Sequence, residues 1–308
     1  MTGGTAGRVA VPPEMTDSRP YKSPYNSSAG SGDLFAPLPD GTDMSDDLEI
    51  LLTNDDGIDS TGIRALYDAL SEHANVTVVA PAGDRSACGR SISHEVEVDD
   101  HELGYAVHGT PADCVVAGLA ELGPFPDLVV AGCNKGANLG EYVLGRSGTI
   151  SAAVEAAFFD VPAIATSLYV PVDDTPFEDV EVTAEDYAEA TRVTTYLADR
   201  ALEAGVFEHA AYLNVNVPLP DGEPAPLEIT RPSKRYEMDA ERDGAHVTLH
   251  DRVWDEMTPD ALPDPPGTDR RAVVEGNVSV SPLTAPHSTN HHEALDALAD
   301  DYDGFRLE

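Results

Sequence analysis

Short apolar runs alternate with amphipathic stretches from about residue 48 onwards. The apolar runs predict strands at 49–53, 76–80, 127–131, 163–167 and 211–215, with shorter ones at 96–98 and 105–108. The stretches between them predict helices at 61–73, 111–122, 147–159 and 184–205. Strands separated by helices form a parallel, doubly wound sheet with helices on both faces, so the predicted fold class is α/β.

The pattern changes after residue 218. Prolines crowd 218–226 and 259–266, and the strand-like pieces 227–230, 246–249 and 277–280 have no helical pattern between them. These pieces predict β-hairpins that project from the sheet as an arm. The chain ends with a predicted helix at 293–301.

The first 46 residues contain Gly, Pro, Ser, Thr and Asp without any hydrophobic period. Such a composition cannot bury enough apolar surface to fold, so residues 1–46 are predicted to be a disordered leader. Residues 47–308 are predicted to form a single domain, with a core at about 47–218 and the arm region at about 219–308.

The charge of the chain is extreme, because 18 basic residues face 56 acidic ones and the formal net charge is −38. A chain this acidic lacks the broad basic surface that binds nucleic acid or anionic membranes, so neither is an expected partner. We interpret the charge as an adaptation to concentrated salt, with an acidic function of its own as the alternative.

The cysteines and the apolar runs bear on location. Cys88, Cys114 and Cys133 are odd in number and widely spaced, which implies neither a zinc site nor a disulfide framework; small buried packing residues are expected. No run of 18 apolar residues and no basic-then-apolar signal pattern is present. The expected location is therefore cytoplasmic.

The first candidate site follows the first predicted strand. Asn54, Asp55, Asp56 and Gly57 come directly after the apolar run, where open α/β sheets bind ligands. Two adjacent carboxylates repel each other unless a cation lies between them, so the loop predicts a divalent metal site. The alternative is a simple turn in which Asn54 or Asp59 caps the next helix.

Two further loops follow later strands. The loop at 80–91 contains Arg85 and Ser86, where an arginine could contact phosphate and a hydroxyl could bind a hard cation. A solvated loop with surface ion pairs is the alternative. The glycine-rich loop at 132–140 contains Asn134, Lys135 and Asn138, whose amide groups could face a metal or an anion. Simple turn chemistry would also account for this second loop.

The fourth candidate loop opens the alanine-rich helix at 147–159. Ser147 is a good N-cap, and the helix N-terminus formed with Gly148 and Thr149 offers free amides to a phosphate. Both roles are compatible. The segment 109–115 is instead interpreted as structural, with Thr110 as an N-cap and Pro111 at the first helical position.

Several ordered motifs together resemble the SurE family of survival-protein phosphatases, which are metal-dependent nucleoside monophosphate phosphohydrolases. The similarity runs from about residue 48 to about residue 286. The matching segments are 50–58, 78–81 with Arg85 and Ser86, 109–115, 127–140, 147–149, 213–218, 229–231, 267–269 and 278–283.

The resemblance implies a Rossmann-like three-layer αβα sandwich with a protruding hairpin, and a C-terminal exchange that builds homodimers or homotetramers. It implies one divalent cation, Mg²⁺ or Mn²⁺, held by Asp55, Asp56, Ser86 and Asn134. The implied substrates are nucleoside 5′-monophosphates, often 3′-monophosphates and sometimes short polyphosphate. Two departures from the pattern, Ala82–Gly83–Asp84 before Ser86 and Arg146 in place of a frequent tyrosine, leave the metal ligands intact and bear on substrate preference.

The expected chemistry is metal-assisted hydrolysis of a phosphomonoester, with Asp55 and Asp56 as the catalytic residues. The expected phosphate contacts are Asn54, Asn138, Ser147, Gly148 and Thr149.

Two other classes of protein are alternatives. A phospho-receiver domain would need a phosphoacceptor aspartate and a lysine after later strands, which this chain lacks. A non-catalytic nucleotide-binding or interaction protein is the remaining alternative.

Overall fold

A computed structural model of the chain describes residues 48–171 and 177–285. The predicted leader at 1–46 and the predicted C-terminal helix at 293–301 lie outside the described residues. In the described part, no helix combines the length and the apolar character needed to cross a bilayer.

Within the described residues, nine strands form one sheet and two form a separate hairpin. The strands are β1 (Glu49–Thr53), β2 (Asn75–Pro81), β3 (Val98–His101), β4 (Gly104–Val107), β5 (Leu128–Lys135), β6 (Ala163–Tyr169), β7 (Tyr212–Pro218), β8 (Leu227–Ile229), β9 (Met238–Asp243), β10 (His246–Asp251) and β11 (Val278–Leu283). The sheet order is β3-β4-β2-β1-β5-β6-β7-β11-β8, and β9 pairs with β10. The parallel, doubly wound centre was predicted; β3 and β11 are antiparallel additions to it.

The helices cover both faces of this sheet, as predicted. They are α1 (Thr61–Leu70), α2 (Pro111–Ala120), α3 (Glu141–Leu144), α4 (Gly148–Phe158), α5 (Ala188–Arg200) and α6 (Asp269–Val274). Contacts join α1 to α5 and α2 to α4. Successive strand side chains point to opposite faces, so Ile50 and Leu52 pack on the α1 and α5 side, while Leu51 packs on the α2 and α4 side.

The structure corrects the prediction for the region after residue 218. Between residues 219 and 285, β9 and β10 form a hairpin, whereas β8 and β11 join the main sheet, where β11 pairs with both β7 and β8. A short helix, α6, lies between the hairpin and β11, contrary to the expected absence of helices. The predicted helix at 184–205 is shorter, with a 3₁₀ turn at Glu185–Tyr187 leading into α5.

Candidate active site at the carboxyl ends of the central strands

The loop after β1 is a tight turn held by Asn54. The Asn54 side-chain amide donates to the carbonyl of Gly57 and to Oγ of Ser60, at 2.8 Å each, and its Oδ1 accepts from the amide of Gly57 at 3.2 Å. Gly57 has φ +99°, and a Cβ there would lie 3.1 Å from the backbone of Gly83. All polar atoms of the Asn54 side chain are therefore engaged within the loop, which presents the two following aspartates.

Asp55 lies in a pocket made by the N-terminus of α4. Only 3% of the residue is exposed, and its Oδ1 accepts a 2.6 Å hydrogen bond from the hydroxyl of Thr149. Burial raises the pKa of Asp55, and hydrogen bonds from the hydroxyl and the backbone amide of Thr149 oppose that rise. A Cβ on Gly148 would lie 2.7 Å from Cβ of Asp55, so glycine is required for this close approach.

Asp56 contacts the end of β5. Its Oδ2 accepts a 2.9 Å hydrogen bond from the backbone amide of Lys135. Burial and then the charge of Asp55 raise the pKa of Asp56 to about 7. The two neighbouring carboxylates therefore carry an electrostatic strain at neutral pH, which a bound cation would relieve.

The loop after β2 brings Ser86 to the same edge of the sheet. The backbone amide of Arg85 donates to the carbonyl of Asp55 at 2.7 Å, which ties this loop to the first one. Ser86 is exposed, and its hydroxyl donates to Oδ1 of Asp84 at 2.6 Å. The charge of Asp84 also acts on Asp55 and Asp56, so Asp84 is a third acid beside the pair that the sequence interpretation did not select.

Asn134 is positioned by an irregularity in β5. The strand continues to Lys135, four residues beyond its predicted end, and its register with β6 shifts between Ala131 and Asn134. The Asn134 side-chain amide donates to the carbonyl of Gly136. Its carbonyl oxygen is thereby the atom left to act as a ligand.

Asn138 lies at the centre of a buried amide network. Its side-chain amide donates to Oγ of Ser167 at 2.8 Å, and its backbone amide donates to Oδ1 of Asn216 at 2.7 Å. The side-chain amides of Asn214 and Asn216 both donate to the backbone carbonyl oxygen of Asn138. This network, made of polar residues on β6 and β7, holds the glycine-rich loop against those two strands.

Ser147 caps α4 as predicted, because its Oγ accepts from the amide of Ile150 at 3.1 Å. The structure thus brings Asp55, Gly148 and Thr149 into direct contact. Ser147 directly precedes Gly148 at the same end of α4. Thr110 is likewise the N-cap of α2, as predicted, and the structure adds a capping box in which Asp113 is its partner.

The donor set fits a hard divalent cation. Among residues 48–171 and 177–285, no group of three or more His, Cys, Asp or Glu side chains is arranged to hold a metal ion. A cation at this edge would therefore need the two aspartates together with neutral oxygens, which the hydroxyl of Ser86 and the amide of Asn134 can supply.

Comparison with known proteins shows the family of this chain. The family model for survival protein SurE matches residues 50–239. The chain belongs to the SurE family. The 5′-nucleotidase SurE of Haloarcula marismortui is 65% identical over 259 residues, which cover 84% of this chain and 96% of that protein. The 5′-nucleotidase SurE of Natronomonas pharaonis is 65% identical over 256 residues, covering 83% of this chain and all of that protein.

A solved SurE structure has the same architecture. The crystal structure of the SurE protein from Aquifex aeolicus is 31% identical and superposes with a TM-score of 0.65, covering 83% of this chain and all of that one. The α/β sandwich, with helices on both faces of a mainly parallel sheet, is therefore the SurE fold. The relatives from Haloarcula and Natronomonas are halophilic, which agrees with the acidic composition of this chain.

Proposed function

We propose that this SurE protein is a metal-dependent 5′-nucleotidase that hydrolyses nucleoside 5′-monophosphates to a nucleoside and phosphate. The observation that carries the proposal is the adjacent pair of the buried Asp55 and the half-buried Asp56, whose carboxylates accept hydrogen bonds from the hydroxyl of Thr149 and the backbone amide of Lys135. The names of the relatives from Haloarcula and Natronomonas, each a 5′-nucleotidase SurE, support the same reaction.

In this proposal Asp55, Asp56, Ser86 and Asn134 hold one Mg²⁺ or Mn²⁺. Such a cation, when bound, neutralises charge that develops on the phosphoryl oxygens and lowers the pKa of a bound water. Thr149 and the Lys135 amide fix the two carboxylates, so their remaining oxygens are directed by hydrogen bonds rather than free to rotate.

The substrate phosphate is proposed to lie against the N-terminus of α4. The backbone amide of Gly148 and the hydroxyl of Ser147 are the donors at this end of the helix, where the helix dipole also favours an anion. Because the side chains of Asn54 and Asn138 are engaged in the loops, their proposed role is to shape the phosphate site.

Hydrolysis is proposed to proceed by attack of a water on phosphorus. Asp55 orients that water and accepts its proton as the water oxygen bonds to phosphorus, and it then gives that proton to the nucleoside 5′-oxygen as the bond between phosphorus and that oxygen breaks.

We also propose that the protein hydrolyses 3′-monophosphates and short polyphosphate, that it forms a homodimer or homotetramer, and that it is cytoplasmic. The exposed apolar side chains Ile229, Val247 and Leu249, on β8 and β10, support an oligomer, because a second subunit could cover them.

The test is phosphate release from a panel of nucleoside 5′- and 3′-monophosphates in molar KCl, with Mg²⁺, Mn²⁺ or chelator. The variants Asp55→Asn and Asp56→Asn should lose several orders of magnitude in rate, whereas Asp260→Asn, at an exposed position, should match the wild type. Near-normal release by both site variants would refute the site. Nucleotide binding without release, by a folded wild type, would support the alternative of a non-catalytic nucleotide-binding protein.

A further inference from the structure

Asp84 holds the side chain of Ser86, which is one of the proposed metal ligands. Oδ1 of Asp84 accepts a 2.6 Å hydrogen bond from the Ser86 hydroxyl and a 2.7 Å hydrogen bond from the Ser86 backbone amide. Because both donors of Ser86 bind the same oxygen, the side chain of Ser86 is fixed relative to its own backbone. The direction in which the Ser86 hydroxyl points is therefore set by Asp84.

The direction of this hydroxyl suits a cation. A serine hydroxyl has one proton to donate and two lone pairs that can accept a hydrogen bond or bind a metal. The proton of Ser86 points at Asp84, and no other described residue donates to the Ser86 oxygen. The lone pairs are thus left for another partner, and hard cations such as Mg²⁺ bind through oxygen lone pairs.

The backbone at Asp84 packs against the loop that carries the two proposed catalytic aspartates. A Cβ added to Gly57 would lie 3.4 Å from the amide nitrogen of Asp84. On the other side of Asp84, the amide of Arg85 donates to the carbonyl of Asp55 at 2.7 Å. Burial is the main cause of the raised pKa values of Asp55 and Asp56, and the nearby charge of Asp84 adds to it. Three carboxylates from two loops therefore lie close together.

Asp84 has no cationic partner in the described part of the chain, where no lysine, arginine or histidine nitrogen lies within 4 Å of its carboxylate. The neighbouring Arg85 donates instead to the carbonyl of Gly109 at 3.1 Å. An asparagine could accept the same two hydrogen bonds from Ser86 without adding a negative charge beside the aspartate pair. The turn alone does not require an acid at this position, whereas a bound cation would be stabilised by one.

We propose that Asp84 is a positioning residue that directs the hydroxyl of Ser86 towards the divalent cation of the proposed active site. Asp84 accepts the hydroxyl proton, so the Ser86 oxygen faces the cation, and its negative charge adds to that of the aspartate pair. A residue that orients a metal ligand typically changes the metal affinity by about 10- to 100-fold. This role rests on the metal site of the proposed function, and it involves no contact between Asp84 and the substrate.

The experiment measures Mn²⁺ binding to the full chain by isothermal titration calorimetry, in molar KCl and without nucleotide. Asp84→Ala removes both the charge and the acceptor, and it should weaken Mn²⁺ binding by about 10- to 100-fold. Asp84→Asn keeps an acceptor for Ser86, so its affinity should lie between those of the wild type and Asp84→Ala. The matched control is Asp260→Asn, which removes one charge at an exposed position and should bind Mn²⁺ as the wild type does.

A second set of variants tests whether Asp84 acts through Ser86. Ser86→Ala removes the hydroxyl that Asp84 orients, so only the charge of Asp84 can still matter in that background. Asp84→Ala and Asp84→Asn should then bind Mn²⁺ equally, although they differ when Ser86 is present. If Asp84→Ala bound Mn²⁺ more weakly than Asp84→Asn by the same factor in both backgrounds, the positioning role would be refuted.

Thermal unfolding in chelator separates this role from a structural one. Asp84→Asn should have a Tm equal to or above that of the wild type, because it removes a charge beside two others; a clearly lower Tm would overturn the proposal. Equal Mn²⁺ affinity in the wild type and both Asp84 variants, with loss in Asp56→Asn, would overturn it and leave the proposed reaction standing. Mn²⁺ binding that depends on Asp84, in a protein that releases no phosphate, would support it and refute the reaction. A folded wild type that binds no Mn²⁺ would refute both.

Discussion

The hydroxyl of Thr149 lies 2.6 Å from Oδ1 of Asp55, although 94 residues separate them in the sequence. The contact fixes one carboxylate oxygen and leaves the other to face the site. It also links the first turn of α4 to the loop after β1, so the helix that is proposed to bind phosphate and the acid that is proposed to bind metal are positioned by the same residue.

Replacing Thr149 should therefore weaken metal binding, although Thr149 is not one of the proposed metal ligands. We expect Thr149→Val to lower both Mn²⁺ affinity and the rate of phosphate release by about 10- to 100-fold, because a residue that orients a metal ligand typically has an effect of that size. Thr149→Ser keeps the hydroxyl and should stay within a few-fold of the wild type. A loss in Thr149→Ser without a loss in Thr149→Val would show that the methyl packing, rather than the hydrogen bond, is what matters.

Gly148 offers a steric test of the same contact. An added Cβ would lie 2.7 Å from Cβ and 2.9 Å from Oδ2 of Asp55, so Gly148→Ala should displace that carboxylate. We expect metal affinity and activity to fall by about tenfold or more, since a misplacement of about 1 Å can lower a rate by that much. Gly145→Ala is the matched control, because a Cβ there meets nothing within 4 Å and its φ of −84° suits alanine. Full activity of Gly148→Ala would contradict the described geometry.

The raised pKa of Asp56 predicts how stability depends on pH when metal is absent. Folding moves this pKa from 3.8 to about 7, so the folded state is favoured with Asp56 protonated. That contribution is fully present below about pH 4 and is lost as the pH rises through about 7. Asp56→Asn, which is neutral at every pH, should therefore be more stable than the wild type at pH 8 by a few kcal/mol, since one pKa unit corresponds to about 1.4 kcal/mol.

The measurement is thermal unfolding of both proteins in chelator and molar salt, from pH 4 to pH 8. The difference in Tm should shrink as the pH falls, and adding Mn²⁺ should reverse the order, because only the wild type keeps both carboxylates. A wild type that is the more stable protein at pH 8 in chelator would contradict the electrostatic strain assigned to the pair.

The centre of the fold was predictable because its strands are continuous apolar runs. Strands β1 and β5 are buried on both faces, so burial requires the unbroken apolar runs at 50–52 and 128–131 that mark them in the sequence. Strand β8 has three residues, two of them exposed, and its partner β11 begins about fifty residues later. The local pattern predicted this strand but not so distant a partner, so the assignment of 227–230 and 277–280 to hairpins was wrong, whereas 246–249 does lie in a hairpin, as β10.

The candidate metal ligands could be predicted from the sequence, whereas the buried asparagine network that supports the glycine-rich loop could not. Charged residues directly after a buried strand stand out in the sequence, as Asp55 and Asp56 do. Asn214 and Asn216 lie inside the buried strand β7, where their role depends on the backbone of Asn138, which comes to them from another element. The signal that could have identified them is two asparagines among valines in a strand, because buried amides need specific partners.

The net charge of −38 predicts that folding requires salt. At low ionic strength the acidic side chains repel one another over about 30 Å at 0.01 M, whereas in 1 M salt the range is about 3 Å. We expect the circular dichroism spectrum to lose its helical signal on dialysis into dilute buffer and to recover in molar KCl. Sucrose stabilises compact states without screening charge, so it should be less effective than KCl. A spectrum that stays unchanged in dilute buffer would show that apolar packing on the two faces of the sheet outweighs the charge repulsion. The acidic composition would then have another purpose.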